Sequence, residues 1–317
     1  MKKILTTALL LASNLVFASP DTIQPKGEPV KLAGNPKEIR MSPVWSPDGK
    51  YLAYTEANYK GIYVMDMKTR EIKSITDEAS AGYGIEWSSD SRSILSRVAK
   101  YQGVKRLNAV KVFDVETKKS RQLTDYRSMM PGIPHWGDRD QKVFLYSRGK
   151  LETYTSGKKA SSLKKTSEAS KINFMKDDHI ATGNITTKAV KVLDPIKNAK
   201  YLNMTTSPDG SKIAFEVMGG NMYVMNSDGT GLVDLGAGFR PSWSPDSKHI
   251  AYMISKDDGH EYTSSDIYTI KYDGTEKRQI TTTDDKLEMN PSWSPDGSRI
   301  AYDEYKEGSI YILEISK

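Results

Sequence analysis

"NPSWSPDGSRIAY", residues 290 to 302, places a tight turn between two short extended pieces. Pro295 pre-sets φ for the first corner of a type I turn, and Asp296 takes the second corner. Gly297 then supplies the positive φ that a bulged hairpin needs. The string recurs as "WSPDGKYLAY" from Trp45 and as "WSPDSKHIAY" from Trp243. Pro208, Asp209 and Gly210 repeat the same roles. In "WSSDS" (87 to 91) and "WSPDS" (243 to 247), Ser91 and Ser247 replace the glycine, at a modest backbone cost. These aspartates fall on separate repeats, so they are expected to shape turns rather than to converge as a metal or catalytic set.

Comparable units begin near Trp45, Trp87, Trp136, Phe174, Thr206, Trp243 and Trp293, spaced 32 to 50 residues apart with a mean of about 41. Repetition at this period marks a modular architecture. Within each unit, "IYVMD" (62 to 66), "MYVMN" (222 to 226) and "IYTIK" (267 to 271) alternate with period two and are rich in β-branched and aromatic residues. They predict strands. Four short strands per unit describe the blade of an all-β propeller. The fourth unit, residues 171 to 202, lacks the turn signature. It counts as a blade with Phe174 in the tryptophan place, Asp177-Asp178 as the turn and "AVKVLD" (189 to 194) as the counterpart of "IYVMD". The final unit ends at "SIYILEISK" without a fourth strand. "EPVKLA" (28 to 33) has the pattern of the fourth strands "KRQITT" and "SRQLTD" and is expected to close the ring, so that no wide sheet edge is left exposed.

The unit P-x-W-S-P-D-G-x-x-I-A-Y followed by I-Y-V-M-D resembles the PD40, or WD40-like, repeat of the TolB family propeller. The resemblance spans essentially the whole mature chain and implies a scaffold in the bacterial envelope. Propellers of that family usually have six blades, against the seven units counted here. The family's α/β domain ahead of the propeller is expected to be absent, because only about two dozen residues separate Ala18 from the first blade. A polysaccharide lyase of the oligogalacturonate type also uses seven such blades, and would need histidines converging near the axis.

The first residues, "MKKILTTALLLASNLVFASP", read as a secretory signal peptide. Lys2 and Lys3 form the positive region, Ile4 to Phe17 the apolar region, and cleavage is expected after Ala18. That run is shorter than the roughly 20 residues a spanning helix needs. Residues 19 to 317 then form a single periplasmic propeller domain with no membrane span, expected to be a monomer. The chain has no cysteine, which excludes a disulfide framework and thiolate metal sites. Of 46 basic side chains, Lys2 and Lys3 leave with the signal, and 40 acidic ones remain, a net charge near +4. That is too mild to argue for nucleic acid. The excess gathers between Arg139 and Lys176, a solvated edge or a patch for an anionic envelope component such as a glycan.

Strand order places the "SPDG" turns on one face and the long loops on the other, where binding residues usually lie. The long-loop face offers Tyr59, Tyr101, Arg106, Tyr126, Arg127, Met129, Met130, Tyr262 and Tyr305 as a partner-binding surface of types enriched at interfaces. No nucleophile elbow, H-E-x-x-H, P-loop or dinucleotide fingerprint is present. His135, His179, His249 and His260 lie in different units without ligand spacing. His249 is expected to be structural, and His260 is the one weak catalytic candidate. The expectation is a non-enzymatic module for an envelope protein partner, without cofactor or metal. The alternative is an enzyme acting on an acidic glycan.

Overall fold

The computed structural model describes residues 23–159, 171–283 and 285–316; the expected signal peptide lies outside them. The described chain forms seven antiparallel sheets, five of four strands and two of three. Its one helical element is a single 3-10 turn, Ala57–Tyr59. Blade 1 is typical: Arg40–Trp45, Tyr51–Glu56, Ile62–Asp66 and Ile72–Thr76 pair in that order.

The middle strands of each blade are covered on both faces by neighbouring blades. "IAY" positions therefore vanish from solvent: Leu52, Ala53, Tyr54, Ile250, Ala251, Tyr252, Ile300 and Ala301 are fully buried. The core is a series of inter-blade clusters, as where Trp45, Leu52, Tyr54 and Met65 of blade 1 meet Ala301, Ile310 and Ile312 of the last blade. Trp87, Trp136 and Trp243 each donate an indole N–H to a carbonyl of the preceding blade, those of Val44, Glu86 and Thr205, at 3.1 to 3.2 Å. The repeated tryptophan thus fixes one blade against another.

The turn behaves as its residues dictate. The Asp48 carboxylate accepts the Ser46 hydroxyl at 2.8 Å and the Lys50 N–H at 3.1 Å, with Gly49 at φ 71°. Ser91 and Ser247 hold the same left-handed conformation at φ 59° and 60°. Their hydroxyls accept the backbone N–H of Asp48 and Asp209 in the preceding blade, at 3.0 and 3.1 Å. The two serines therefore offset a local strain with an inter-blade hydrogen bond that glycine cannot make.

The ring closes with the N-terminal strand. Gln24–Gly34 pairs antiparallel with Ser309–Ser316, giving the last blade its fourth strand beside Glu288–Trp293 and Arg299–Glu304. Leu32 falls in a register shift between Lys31 and Ala33 and is only partly buried.

Blade 4 is a blade, but its strands are displaced by one from the sequence assignment. Asn184 accepts the N–H groups of Thr186 and Thr187 and bonds Ala189, with Lys188 at positive φ. Asp66 does the same with Lys68, Thr69 and Glu71, and with Arg70 at positive φ. That turn links a third strand to a fourth. Lys171–Lys176, His179–Asn184 and Val190–Leu193 are thus second, third and fourth strands. Phe174 pairs with Ala181 inside the blade rather than holding the tryptophan place. Asp177-Asp178 turns on the long-loop side, where the Asp178 carbonyl accepts the Tyr201 N–H at 2.8 Å. A blade without the proline-glycine turn gave the wrong phase because strands two and three are both short, apolar and alternating.

Candidate functional site

On the long-loop side the innermost strands of blades 1, 5, 6 and 7 break register at matching places. The shifts lie between Met41 and Val44, Leu202 and Thr205, Phe239 and Ser242, and Met289 and Ser292. Each holds a residue at positive φ: Ser42, Asn203, Arg240 or Asn290. A bulge takes backbone groups out of the ladder, and a buried orphan N–H is costly. Carboxylates ten residues past the tryptophan position answer this. Glu216 accepts the Arg240 N–H at 2.6 Å and the Asn203 amide at 2.8 Å. Asp303 accepts the Ser42 N–H at 2.8 Å and the Asn290 amide at 3.0 Å. In blade 2 the same position is Arg97, and the polarity inverts: its guanidinium donates to the carbonyls of Met130, Pro131 and Gly132 at 2.6, 2.7 and 3.2 Å.

Asn203, Glu216, Arg240, Asn290 and Asp303 line one cavity, which Arg97 does not reach. Burial raises the Glu216 carboxyl and pushes Asp303 up to about 7, although the Ser42 and Asn290 donors pull the latter down. A cavity of ≈ 890 Å³ opens here, walled by Tyr59, Glu216, Arg240, Asp303, Tyr262 and Tyr305 among others. A second, of ≈ 460 Å³, continues outward past His260 and Glu261, and shares Asp257, Tyr262, Tyr305 and Lys306 with the first. Together they form one groove from the rim to the axis. Tyr262 and Tyr305 meet edge to face at 6.3 Å, 44% and 62% exposed.

The structure brings three of the nine expected face residues, Tyr59, Tyr262 and Tyr305, into this groove. The others gather at blade 2. Tyr101 and Arg106 are cross-strand partners at the tip of its long hairpin. Tyr126 donates to Glu78 at 3.0 Å beneath the Lys100 ammonium. Arg127 forms a largely buried ion pair with Glu152 at 2.5 Å. Met129 is exposed, whereas Met130 is 2% exposed and packs in the core with Trp136 and Leu145, so its side chain is not on the face at all. Alternation around a loop does not reveal which methionine turns inward. Asp303, Glu216, Arg240, Asn203 and Asn290 were not singled out by sequence. Their one visible mark is a polar residue two or three places before the "SW" or opposite it in "AYDE" and "AFEV".

Among the described residues no three His, Asp or Glu side chains group as a metal would require. The histidines stay apart: His135 meets Glu86 at 3.1 Å, His179 meets Asp178 at 3.5 Å and His249 meets Glu276 at 3.5 Å. His260 lines the outer groove. No helix among the described residues is long and apolar enough to cross a membrane.

Seven blades with this closure define a seven-bladed β-propeller. No family model matches the sequence, and no curated protein does. Solved structures share the fold. TolB from Acinetobacter baumannii is similar over 81% of this chain and 58% of its own, with 18% identity and a TM-score of 0.56. This chain therefore spans little more than half of that protein. A putative TolB from Agrobacterium tumefaciens is similar over 87% and 90%, with 16% identity and a TM-score of 0.54. Oligogalacturonate lyase from Vibrio parahaemolyticus is similar over 94% and 98%, with 14% identity and a TM-score of 0.59.

Proposed function

We propose that this chain is exported to the periplasm of a bacterial envelope and serves there as a protein-binding scaffold through its long-loop face. The observation that supports this most is the groove, where exposed Tyr262 and Tyr305 flank an open cavity on a rigid ring. Large aromatics beside a pocket are typical anchor sites for a protein segment. The carboxylates beneath them, Asp303 and Glu216, are already bound to bulge N–H groups, which suits a rigid binding wall. Crosslinking capture from native periplasm tests the reading. A partner held by the wild type should be lost on Tyr262→Ala with Tyr305→Ala, and kept on Lys50→Ala with Lys212→Ala on the turn face. The reverse pattern would invert the assignment. Export has its own test: the mature N-terminus should read Ser19-Pro20-Asp21, and a retained Met1 would refute it.

One observation favours a second reading, an enzyme on an acidic glycan. Asp303 titrates near 7 at the wall of the cavity that Arg240 also lines, a pairing suited to taking a proton beside a bound carboxylate. Release of an unsaturated product from trigalacturonate, abolished by Asp303→Asn in a folded variant, would establish it over the scaffold.

A further inference from the structure

Two hairpins project from the ring on the long-loop side. In five blades the second strand has six residues. In blade 2 that strand, Ser93–Gln102, has ten, and in blade 6 His249–Asp257 has nine. Ile94 and Ile250 pair with Trp87 and Trp243 one residue after these strands begin, just as Leu52 pairs with Trp45. The extra residues therefore all lie at the long-loop end, and at about 3.4 Å per residue both tips extend roughly 10 to 14 Å further than the other second strands. Their charges are opposite. The blade 2 tip, residues 100–106, carries Lys100, Lys105 and Arg106 and no carboxylate. The blade 6 tip, residues 257–261, carries Asp257, Asp258 and Glu261, with Lys256 one place behind. These six tip charges are exposed, and among the described residues none has an ion-pair partner. Arg106 bonds neutral groups, Asn108 at 3.1 Å and Ser80 at 3.0 Å, while Asp257 and Asp258 accept N–H groups of their own turn. Each hairpin also sets an exposed tyrosine across the ladder from a charge, Tyr101 opposite Arg106 and Tyr262 opposite Asp257.

The chain thus supplies two complementary surfaces, similarly extended and on one face. Both tips join a second strand to a third, so they stand at similar distances from the ring axis. A two-fold axis lying in that face, from blade 4 to the seam of blades 7 and 1, exchanges the positions of blades 2 and 6. We infer that a second copy of this chain docks face to face about that axis, the basic tip of each copy lying along the acidic tip of the other. Lys100, Lys105 and Arg106 then face Asp257, Asp258 and Glu261 of the other copy. The contact is made twice and closes at two copies. Axes through blade 2 or blade 6 would set like charges together and are disfavoured. Two hairpin contacts bury little area, so the dimer is weak, reversible and sensitive to salt, in place of the monomer that the sequence suggests. The pairing goes beyond the scaffold reading and does not rest on it.

Sedimentation velocity on the mature protein, over a concentration series at low salt, tests the pairing. Wild type should pass reversibly from monomer to dimer, and the dimer should weaken about tenfold or more at high salt. Reversing the basic tip, by Lys100→Glu with Lys105→Glu and Arg106→Glu, should give a monomer. Reversing the acidic tip, by Asp257→Lys with Asp258→Lys and Glu261→Lys, should do the same. Each variant then carries two tips of like charge. Mixed together, the two should form a heterodimer, because every tip again meets its opposite. Asp257→Asn with Asp258→Asn keeps the turn's acceptors and removes charge, and should weaken the dimer about tenfold at an unchanged melting temperature. A wild type that stays monomeric throughout, a dimer that survives either reversal, or a mixture that stays monomeric overturns the inference. So does a monomer whose basic tip binds anionic vesicles instead of a second copy. A partner captured through Tyr262 and Tyr305 would uphold the scaffold reading under any of these results.

Discussion

The Asp303 carboxylate accepts the Ser42 backbone N–H at 2.8 Å, joining the last blade to the first across a sequence separation of 261 residues. The bond holds a strand bulge in place beside the channel mouth. It also leaves that carboxyl only 2% exposed in the cavity wall.

That burial has a pH consequence. Folding raises the Asp303 carboxyl from the ordinary 3.8 to about 7, so the native state binds its proton more tightly than the unfolded chain. Its contribution is full below the unfolded value and is lost as pH rises through 7. Glu216 and Glu288, also raised by burial, act in the same direction. Asp303→Asn keeps an oxygen for Ser42 and removes the titration. Its stability relative to wild type should rise between pH 4 and pH 8, by on the order of 3 kcal/mol in urea unfolding. A constant difference across that range would refute the buried titration.

Removing the closing strand should open the last blade. Deleting residues 24 to 34 uncovers one edge of Ser309–Ser316 and should lower stability by several kcal/mol. A deletion that melts at the wild-type temperature would disprove closure. Leu32→Asp should be milder, about 1 to 2 kcal/mol, because Leu32 sits at a register shift and is only partly buried.

The blade 2 cluster should split into two kinds of residue. Tyr101→Ala with Arg106→Ala should leave the melting temperature nearly unchanged, since both side chains are exposed. Arg127→Ala should cost about 2 kcal/mol, because it strands Glu152, which Tyr154 also binds at 2.6 Å. Replacing Arg127 together with Tyr101 and Arg106 would therefore destabilise the blade and obscure any effect on binding. Thermal melts of the two sets separate the cases.

Ser91 offers a test of the turn. Ser91→Gly relieves a left-handed backbone but loses the acceptor for Asp48, so the two effects should nearly cancel. Ser91→Ala keeps the strain and loses the bond, and should cost about 1 to 2 kcal/mol. If alanine is no worse than glycine in denaturant titrations, the inter-blade bond contributes nothing.

The sequence by itself determined the blade and its number. Proline, aspartate and glycine at fixed offsets force a turn locally, and period-two strands on either side need no distant partner to be recognised. The closing strand was legible for the same reason, because "EPVKLA" has the pattern of the other fourth strands, with Leu32 in the place of Ile280 and Leu123. Only the tertiary structure set the strand phase of blade 4, where no such turn exists and two alternating strands look alike. It alone also decided the groove. Asp303 with Ser42, and Tyr262 with Tyr305, are brought together by ring closure and by the packing of neighbouring blades. Local patterns record which side chains leave a strand's face, whereas the ring decides which of them meet.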